Sequence, residues 1–322
     1  MKKLSLCVFS AAALACALPA AAQSYPDKPV RAVVPFPPGG AADIVARHVA
    51  QKLSESLGVQ MIVDNRAGAG GAIGAEYVSR AAPDGYTLLL ASSSAMSINP
   101  HVMAKPTYDP LRSFAPIGLI GYSPNVLVVH PSVPARSVKE LIALARSHPE
   151  SLSFGSNGTG TLSHLTGELF MQRAGVRLLH VPYKGAAPAV IDTMAGQISM
   201  LFAAYPSIAG QARAGKLRAM AVTSAKRVSV APELPTIAEA ALPGFESTQW
   251  WGAYGPAGLP AAIVTRLNTE LDRILRTEDI RKRFSHDAVE PAGGSPEDLA
   301  RYLKDDYGKW GKVIRAVKPG ER

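Results

Sequence analysis

The chain alternates short apolar strands with amphipathic helices, and this alternation restricts its fold more than any other feature. The first junction is Val33–Asp43, reading VVPFPPGGAAD, in which a strand end leads through three prolines and two glycines into a helix. Proline fixes φ and removes a backbone donor, so this bend is stiff and does not continue the strand. Repeated units of this kind predict a parallel sheet covered by helices on both faces.

The glycine pair at this junction is compatible with two interpretations. Gly39 and Gly40 lack a Cβ, which lets a ligand approach the backbone closely. The first N–H groups of the following helix have no intrahelical partner and lie at its positive end, so they favour an anion such as a carboxylate. A tight strand-to-helix turn without a ligand is the alternative, and this segment alone does not decide between them.

The strand–helix units fall into two sets. The first set contains the predicted strands Val30–Pro35 and Tyr86–Ala91 and the helix Ala42–Leu57. The second opens with a predicted strand at Asn125–His130 and contains the helix Leu162–Ala174. Two such sets and a helical tail predict two domains with a cleft between them.

The first 22 residues predict a cleaved secretory signal peptide. Two lysines precede the apolar stretch Leu4–Leu18, and Ala20–Ala22 offers a small-residue cleavage site. Both cysteines, Cys7 and Cys16, fall in this segment, so we expect the mature chain to have no disulfide and no thiol nucleophile. Lipidation of Cys16 is the alternative to simple cleavage. Either way, we expect an exported protein.

Composition and motifs argue against several classes of function. Lys and Arg number 34 against 25 Asp and Glu, but the excess is spread along the chain, which disfavours nucleic-acid binding. The glycines of Gly68–Gly74 lack the dinucleotide-binding spacing, and Gly210–Lys216 precedes a strand where a phosphate loop requires a helix. The histidines are scattered, without metal-ligand spacing. We therefore predict neither a metal nor a cofactor.

Two further loops lie between a strand and a helix and carry polar side chains. Ser156–Gly160 offers hydroxyl and amide groups among glycines, and Tyr183-Lys184-Gly185 offers a phenol and an ammonium group. Ser92–Ser94 follows another strand. Ligands of open α/β sheets bind at the carboxyl ends of strands, so these loops are predicted to line one cleft with Gly39 and Gly40. A capped turn and a solvated lysine are the alternatives.

His164 lies in the first turn of the next helix, as either a capping histidine or a ligand contact. A hydrolase that pairs Ser156 with His164 is disfavoured, because only eight positions separate them and no aspartate follows His164 to orient it. We therefore predict no enzymatic activity. Trp250-Trp251 is predicted to pack at the return between the domains, with a place in the cleft wall as the alternative.

The mature chain carries a series of motifs that occur together, in the same order, in one known family. They are YPDKPVRAVVPFPPGGAAD (25–43), DNRAGAGGAIGAE (64–76), PDGYTLLLAS (83–92), FGSNGTGTLSHL (154–165), HVPYKGAAPA (180–189), AGKLRAMAVTS (214–224) and WWGAYGPAGLP (250–260). The chain thereby resembles the substrate-binding proteins of tripartite tricarboxylate transporters, also called Bug-type receptors. The resemblance covers essentially the whole mature chain.

This resemblance implies a type II periplasmic-binding-protein fold, in which two α/β domains close over a ligand. It also implies that the first domain is discontinuous and consists of residues 23–123 and 248–322, with residues 124–247 as the second domain. Tyr122–Asn125 and Ser247–Trp251 are the expected crossing strands.

In proteins of this family, the loops matching Phe36–Asp43 and Ser156–Thr159 hold a carboxylate of the ligand. Many members carry an acid after the phenylalanine matching Phe202, where this chain has Ala203-Ala204. The resemblance therefore favours a dicarboxylate or another organic acid over an amino acid. The predicted ligand-binding residues are Phe36, Gly39, Gly40, Ala41, Asp43, Ser92, Ser93, Ser156, Asn157, Gly158, Thr159, His164, Tyr183, Lys184, Gly185, Ala203 and Ala204.

From these observations we predict a monomeric periplasmic receptor that captures a small organic acid and presents it to integral membrane transporter subunits. A periplasmic sensor subunit that binds the same kind of ligand and signals to a membrane kinase is the alternative. We expect no nucleic-acid partner.

Overall fold

The computed structural model describes residues 25–183 and 185–316. The predicted signal peptide (1–22) with Cys16, and also Lys184, lie outside the described residues. Within these ranges the strands are β1 (Val30–Val34), β2 (Met61–Asn65), β3 (Thr87–Ser92), β4 (Phe114–Val129), β5 (Ser153–Ser156), β6 (Leu179–Pro182), β7 (Met200–Ala204), β8 (Arg218–Val222), β9 (Thr248–Pro256) and β10 (Glu290–Pro291).

Helices connect most of these strands. They are α1 (Ala41–Leu57), α2 (Ala72–Ser79), α3 (Asn99–Val102), α4 (Val138–Ser147), α5 (Leu162–Ala174), α6 (Ala186–Met194), α7 (Tyr205–Arg213), α8 (Ile237–Ala240), α9 (Ala261–Leu275), α10 (Glu278–His286) and α11 (Pro296–Ala316). A 3-10 turn at Ala69–Gly71 precedes α2, and a π-helical turn at Ser94–Ile98 precedes α3. Among the described helices, none is both long enough and apolar enough to cross a membrane.

The strands form one sheet in the order β2-β1-β3-β9-β4-β7-β5-β6, and β10 and β8 also pair with β4. β1 runs parallel to β2 and β3, and β5 runs parallel to β6 and β7. These pairings confirm the parallel strand–helix units that the sequence predicts. β9 and β4 run antiparallel to their neighbours, because they carry the chain between the two halves of the sheet.

β4 joins these two halves. Its first part pairs with β9, whereas Val126–Val129 pair with β7 on one side and β8 on the other. The strand predicted at Asn125–His130 is therefore the second part of a longer strand that begins at Phe114. The two expected crossing segments pair with each other, since Ser123 of β4 lies opposite Gln249 of β9.

Each half of the sheet has its own hydrophobic core. In the first half, α1 and α9 cover the sheet with apolar side chains such as Val45, Val49 and Leu271. In the second half, Phe154 and Phe170 belong to a separate cluster formed with α4 and α5. The cleft that the sequence predicts thus lies between two halves with separate clusters of buried apolar side chains.

α11 contributes to both halves. Leu299 and Leu303, near its start, pack with strands of the first half. Trp310, Val313 and Ile314, near its end, belong to the core of the second half. The helix therefore ties the two halves together, and the domain boundaries at 123/124 and 247/248 stay a prediction.

Candidate functional site

A cavity of about 830 Å³ lies between the two halves of the sheet. The first half and its connecting strands contribute Phe36–Ala42, Ile44, Val45, Ser92, Ser94, Ser123, Asn125, Gln249, Trp251, Asp287 and Val289. The second half contributes Asn157, Thr161–Ser163, Gly185, Ala186, Ala204 and Ser207. The loops after β1, β5 and β6 therefore meet at one cavity, as the strand–loop–helix pattern predicts.

The structure places the predicted ligand-binding residues in two groups. The residues that line the cavity are Phe36, Gly39, Gly40, Ala41, Ser92, Asn157, Gly185 and Ala204. Those that lie outside its wall are Asp43, Ser93, Ser156, Gly158, Thr159, His164, Tyr183 and Ala203. Lys184 is outside the described residues. Several side chains of the second group, among them Asp43 and His164, accept hydrogen bonds from backbone N–H groups of the lining loops on the side away from the cavity.

α7 begins at the cavity wall after Ala204, and so do three helices with a glycine or threonine N-cap: α1 after Gly40, α5 after Thr161 and α6 after Gly185. In the described ranges, no N-cap side chain accepts a hydrogen bond at any of these three helix starts. Of the helices that begin away from the cavity, α4, α8 and α10 are each capped by a serine or threonine side chain, whereas α2 and α9 are not. The uncapped N–H groups leave three positive helix ends available to one anion.

Asp43 lies behind the first loop and fixes its shape. It is only 3% exposed, and it accepts hydrogen bonds from the Gly39 N–H, Arg47 Nε and Asn65 Nδ2, each at 2.9 Å. Asn65 also donates to the Phe36 carbonyl at 3.1 Å. Burial raises the pKa of Asp43, but the hydrogen bonds from its three donors outweigh burial and hold that pKa below its usual value. Asp43 is thus a charged anchor for the glycine pair.

Gly39 itself requires the flexibility of glycine. Its φ is +78°, in the left-handed region that side chains with a Cβ rarely adopt. Gly40 differs, because its φ of −80° is open to any residue. The backbone conformation therefore does not require a glycine at position 40. The absence of a Cβ there instead leaves space in front of the helix.

Four side chains in the cavity wall carry a buried polar atom without a hydrogen-bond partner among the described residues. They are Ser92 Oγ, Ser123 Oγ, Asn157 Oδ1 and Trp251 Nε1. Buried polar atoms are normally paired. These four atoms are therefore candidates for contacts with a polar solute.

The second loop is held from behind by two stacked histidines. The rings of His164 and His180 lie 4.2 Å apart between centroids. The Gly160 N–H donates to His164 Nδ1 at 3.1 Å, and Ser156 Oγ lies 2.7 Å from His180 Nε2. Ser156 is fully buried, so its hydroxyl supports the loop and does not reach the cavity. The disfavoured hydrolase pair of Ser156 with His164 is not formed, because a different histidine contacts the serine.

The third loop also turns its phenol away from the cavity. The Tyr183 hydroxyl donates to Asp192 on α6 at 2.7 Å. Burial, followed by this hydrogen bond, raises the pKa of Tyr183 to about 12. The groups of this loop that line the cavity are Gly185 and Ala186, at the start of α6. Backbone rather than the tyrosine side chain therefore faces the site.

The sequence profile of the tripartite tricarboxylate transporter family receptor matches residues 45–318. The chain belongs to this family. It is 42% identical over 292 residues to a UPF0065 protein in the tcbD–tcbE intergenic region of Pseudomonas sp. (strain P51), covering 90% of this chain and 87% of that protein.

Solved structures of similar proteins share the fold. A protein of R. palustris solved with adipate is 38% identical, with a TM-score of 0.80, and the match covers 90% of this chain and 97% of that one. The periplasmic binding protein BugD is 36% identical, with a TM-score of 0.76 over 90% and 98% of the two chains. MatC from Rhodopseudomonas palustris, solved with bound malate, is 30% identical, with a TM-score of 0.77 over 90% and 100%.

These matches confirm the two-domain, type II periplasmic-binding fold that the sequence motifs imply. Because the family and its solved members are solute-binding receptors, the chain is a receptor rather than an enzyme. The family membership that the sequence motifs indicate is therefore confirmed.

The sequence interpretation missed several residues of the receptor's cavity. Ser123 and Asn125 lie on β4, and Gln249 on β9, where no strand-to-helix loop marks a site. Their position on the expected crossing strands is the signal that could have identified them. Asp287 follows α10 and carries no sequence signal. For Trp251, the cleft-wall alternative is the one observed, whereas Trp250 is fully buried.

We expect the receptor to lose stability as the pH falls from 6.5 toward 4, in part because of His180. Burial, with the adjacent His164, lowers the pKa of His180 from 6.5 to about 4, although Glu168 opposes this change. The unfolded chain therefore binds this proton at a higher pH than the folded chain, so the stabilisation is complete above pH 6.5 and is lost below it. The full shift corresponds to about 3 kcal/mol, and we expect roughly half of this because the ring is partly exposed.

Urea unfolding at pH 7.5 and at pH 5 measures this effect. His180→Gln should reduce the difference between the two free energies of unfolding, whereas His148→Gln, at an exposed position in the same half, should not. An undiminished difference in His180→Gln would assign the acid sensitivity to other groups.

Proposed function

We propose that this receptor binds a small carboxylate, with the acid group at the uncapped starts of α1, α5 and α6. The convergence of these three helix starts on one cavity carries the proposal. Among the described lining residues there is no lysine or arginine, so backbone N–H groups and neutral side chains supply the favourable potential. Each charge-assisted hydrogen bond contributes about 1.5–3 kcal/mol.

The size and lining of the cavity support a small organic acid. Its volume of about 830 Å³ is within the usual range for small-molecule sites, about 300–1,000 Å³. Ile44, Leu162 and Val289 contribute apolar wall beside the polar loops. Such a wall accommodates the carbon chain of an acid whose carboxylate lies at the helix starts.

Two of the similar structures support the same class of ligand. The R. palustris protein was solved with adipate, and MatC was solved with malate. Both ligands are dicarboxylates. For this receptor we propose a dicarboxylate or another organic acid that presents one carboxylate to the glycine loops.

We further propose that the receptor acts in the periplasm and delivers its ligand to the integral membrane subunits of a tripartite tricarboxylate transporter. Membership of the receptor family and the leader predicted at residues 1–22 support this location and partner. An uptake assay after gene deletion tests the partnership. Loss of uptake of the bound acid would support it, whereas intact uptake with altered transcription would support the sensor alternative.

A thermal-shift screen of the mature chain against mono- and dicarboxylates tests the binding itself. An acid present at a hundred times its Kd stabilises the native state by about 2.7 kcal/mol, which should raise Tm by roughly 5 °C. The corresponding neutral amides serve as controls and should produce no shift. If no carboxylate raises Tm at millimolar concentration, the proposal is wrong.

A further inference from the structure

We propose that Asp287 forms the far end of the binding site and selects acids whose other end is a hydrogen-bond donor, a hydroxyl or an ammonium group, over acids that end in a second carboxylate. This inference rests on the proposed function, because it takes the first carboxylate to lie at the helix starts, and among the proposed organic acids it ranks those with a donor at the far end above the dicarboxylates. It concerns a residue that no strand-to-helix loop contains.

Asp287 brings an acidic side chain to the cavity wall. Among the described lining residues it is the one with an ionisable side chain. His48 Nε2 lies 3.0 Å from its Oδ2, and His286 Nδ1 lies 3.1 Å from its Oδ1. A carboxylate oxygen accepts more than one hydrogen bond, so both oxygens retain capacity for a donor from a ligand.

The backbone after α10 holds Asp287 in this position. The Asp287 N–H donates to the Arg283 carbonyl at 3.2 Å, and the Val289 N–H donates to the Phe284 carbonyl at 2.7 Å. Between them, Ala288 has a φ of +52°, in the left-handed region that is unusual for a residue with a Cβ. This turn places both Asp287 and Val289 in the cavity wall.

The order of residues along α1 separates the two ends of the site. Gly40 precedes the helix, Ile44 and Val45 line the cavity one turn later, and His48 contacts Asp287 after a further turn. Eight residues of helix correspond to about 12 Å along its axis. The site thus runs from positive helix ends, past an apolar wall, to a carboxylate.

This order determines which far end of a ligand is favoured. A span of about 12 Å along α1 accommodates a ligand with several carbons between its carboxylate and its far end, which lies beside Asp287. A hydroxyl or ammonium group at that position donates to Asp287. A second carboxylate would face a like charge and would bind less well or take up a proton.

The positions of the lining residues relative to the strands support this direction for the ligand. Ser92 ends β3 and Asn157 follows β5, so both lie at strand ends beside the helix starts. Asp287 lies instead beside the crossing strands, since Glu290 of β10 pairs with Tyr122 of β4. The two ends of the cavity therefore differ in chemistry, and a ligand with two different ends matches them better than a symmetrical diacid.

Calorimetric titration of the mature chain with four acids of equal length tests the inference. Adipate, hexanoate, 6-hydroxyhexanoate and 6-aminohexanoate share one carboxylate and differ at the far end. We expect the hydroxy or the amino acid to bind at least tenfold more tightly than adipate. Asp287→Asn should reduce this preference to about twofold. The loss of affinity should be larger for 6-aminohexanoate, whose far end is a charged ammonium group, than for 6-hydroxyhexanoate.

Asp279→Asn is the matched control, because Asp279 lies on α10, the helix that precedes Asp287, and pairs with Lys52 and Arg283 outside the cavity wall. It should retain the wild-type preference. The wild-type comparison needs no variant, so the test does not depend on the folding of Asp287→Asn. Binding of adipate as tightly as the donor-bearing acids, or a preference unchanged in Asp287→Asn, overturns the inference and leaves the proposed function standing. If no carboxylate binds, in this series or in the wider thermal-shift screen, both the inference about Asp287 and the proposed function are wrong.

Discussion

Replacing Gly40 by valine is expected to abolish carboxylate binding while leaving the receptor folded. The backbone at Gly40 is extended, with φ −80° and ψ 166°, and valine adopts this conformation readily. A Cβ at this position would meet the Pro37 carbonyl at 3.6 Å, an ordinary contact, with no other atom of the described residues within 4 Å. The added methyl groups would instead occupy the space in front of α1.

The size of the effect follows from the hydrogen bonds that the side chain blocks. Two charge-assisted bonds to the start of α1 contribute about 3 kcal/mol or more, which corresponds to a loss of affinity of roughly a hundredfold or greater. Isothermal titration with the acid that gives the largest shift in the thermal screen measures this loss. Circular dichroism and Tm should match the wild type closely.

Gly308→Val provides the matched control. Gly308 lies on the exposed side of α11, and a Cβ there would meet nothing within 4 Å in the part of the chain that the structure describes. This variant has the same added side chain and should bind like the wild type. Unchanged affinity in Gly40→Val would move the carboxylate away from the first loop and contradict the proposed arrangement.

Short-range sequence patterns predicted most of the strand–helix units. The spacing of apolar residues within a segment determines both its secondary structure and the face that it buries. The helix predicted at Ala42–Leu57 differs from α1 by one residue, and Leu162–Ala174 is reproduced by α5. The first part of β4 was not predicted, because Phe114–Tyr122 contains proline and glycines rather than an alternating pattern. That part is a strand because β9 and β10 supply its hydrogen-bond partners from far along the chain.

The candidate site was predictable where its chemistry belongs to the backbone. Glycine loops that follow strands are visible in the sequence, and three of them reach the cavity. The direction of a side chain depends instead on tertiary packing, which is why Ser156 contacts His180 and Tyr183 contacts Asp192. For the same reason the sequence predicted no acid near the far end of the ligand, although Asp287 approaches the cavity from α10.

Replacing Asp43 by alanine is expected to lower both the stability of the receptor and its affinity for acids. The change removes the acceptor for the Gly39 N–H, Asn65 Nδ2 and Arg47 Nε. Leaving buried donors unpaired costs about 1–3 kcal/mol each, and Arg47 is half exposed, so we expect a loss of about 2–3 kcal/mol in the free energy of unfolding. Affinity should fall about tenfold, because Gly39 and Gly40 are then no longer held in the binding geometry.

Asp272→Ala separates the two effects. Asp272 also accepts from an arginine four residues later and from a glycine N–H, that of Gly294, but it lies outside the cavity wall. Its loss should reduce stability without changing the affinity for acids. If Asp43→Ala loses stability but binds acids as tightly as Asp272→Ala, then Asp43 stabilises the fold without organising the site.

The acid dependence of unfolding provides an independent measure of the same anchor. The pKa of Asp43 is held below its ordinary value of 3.8, so its stabilisation is complete above that pH and is lost as the pH falls through the lower pKa of the folded state. This window lies below the one expected for His180, which ends near pH 4. Asp43→Asn should therefore flatten the stability profile below pH 4 and leave the change between pH 6.5 and 4 intact, because the carboxylate and the imidazole hold different loops of the same cavity.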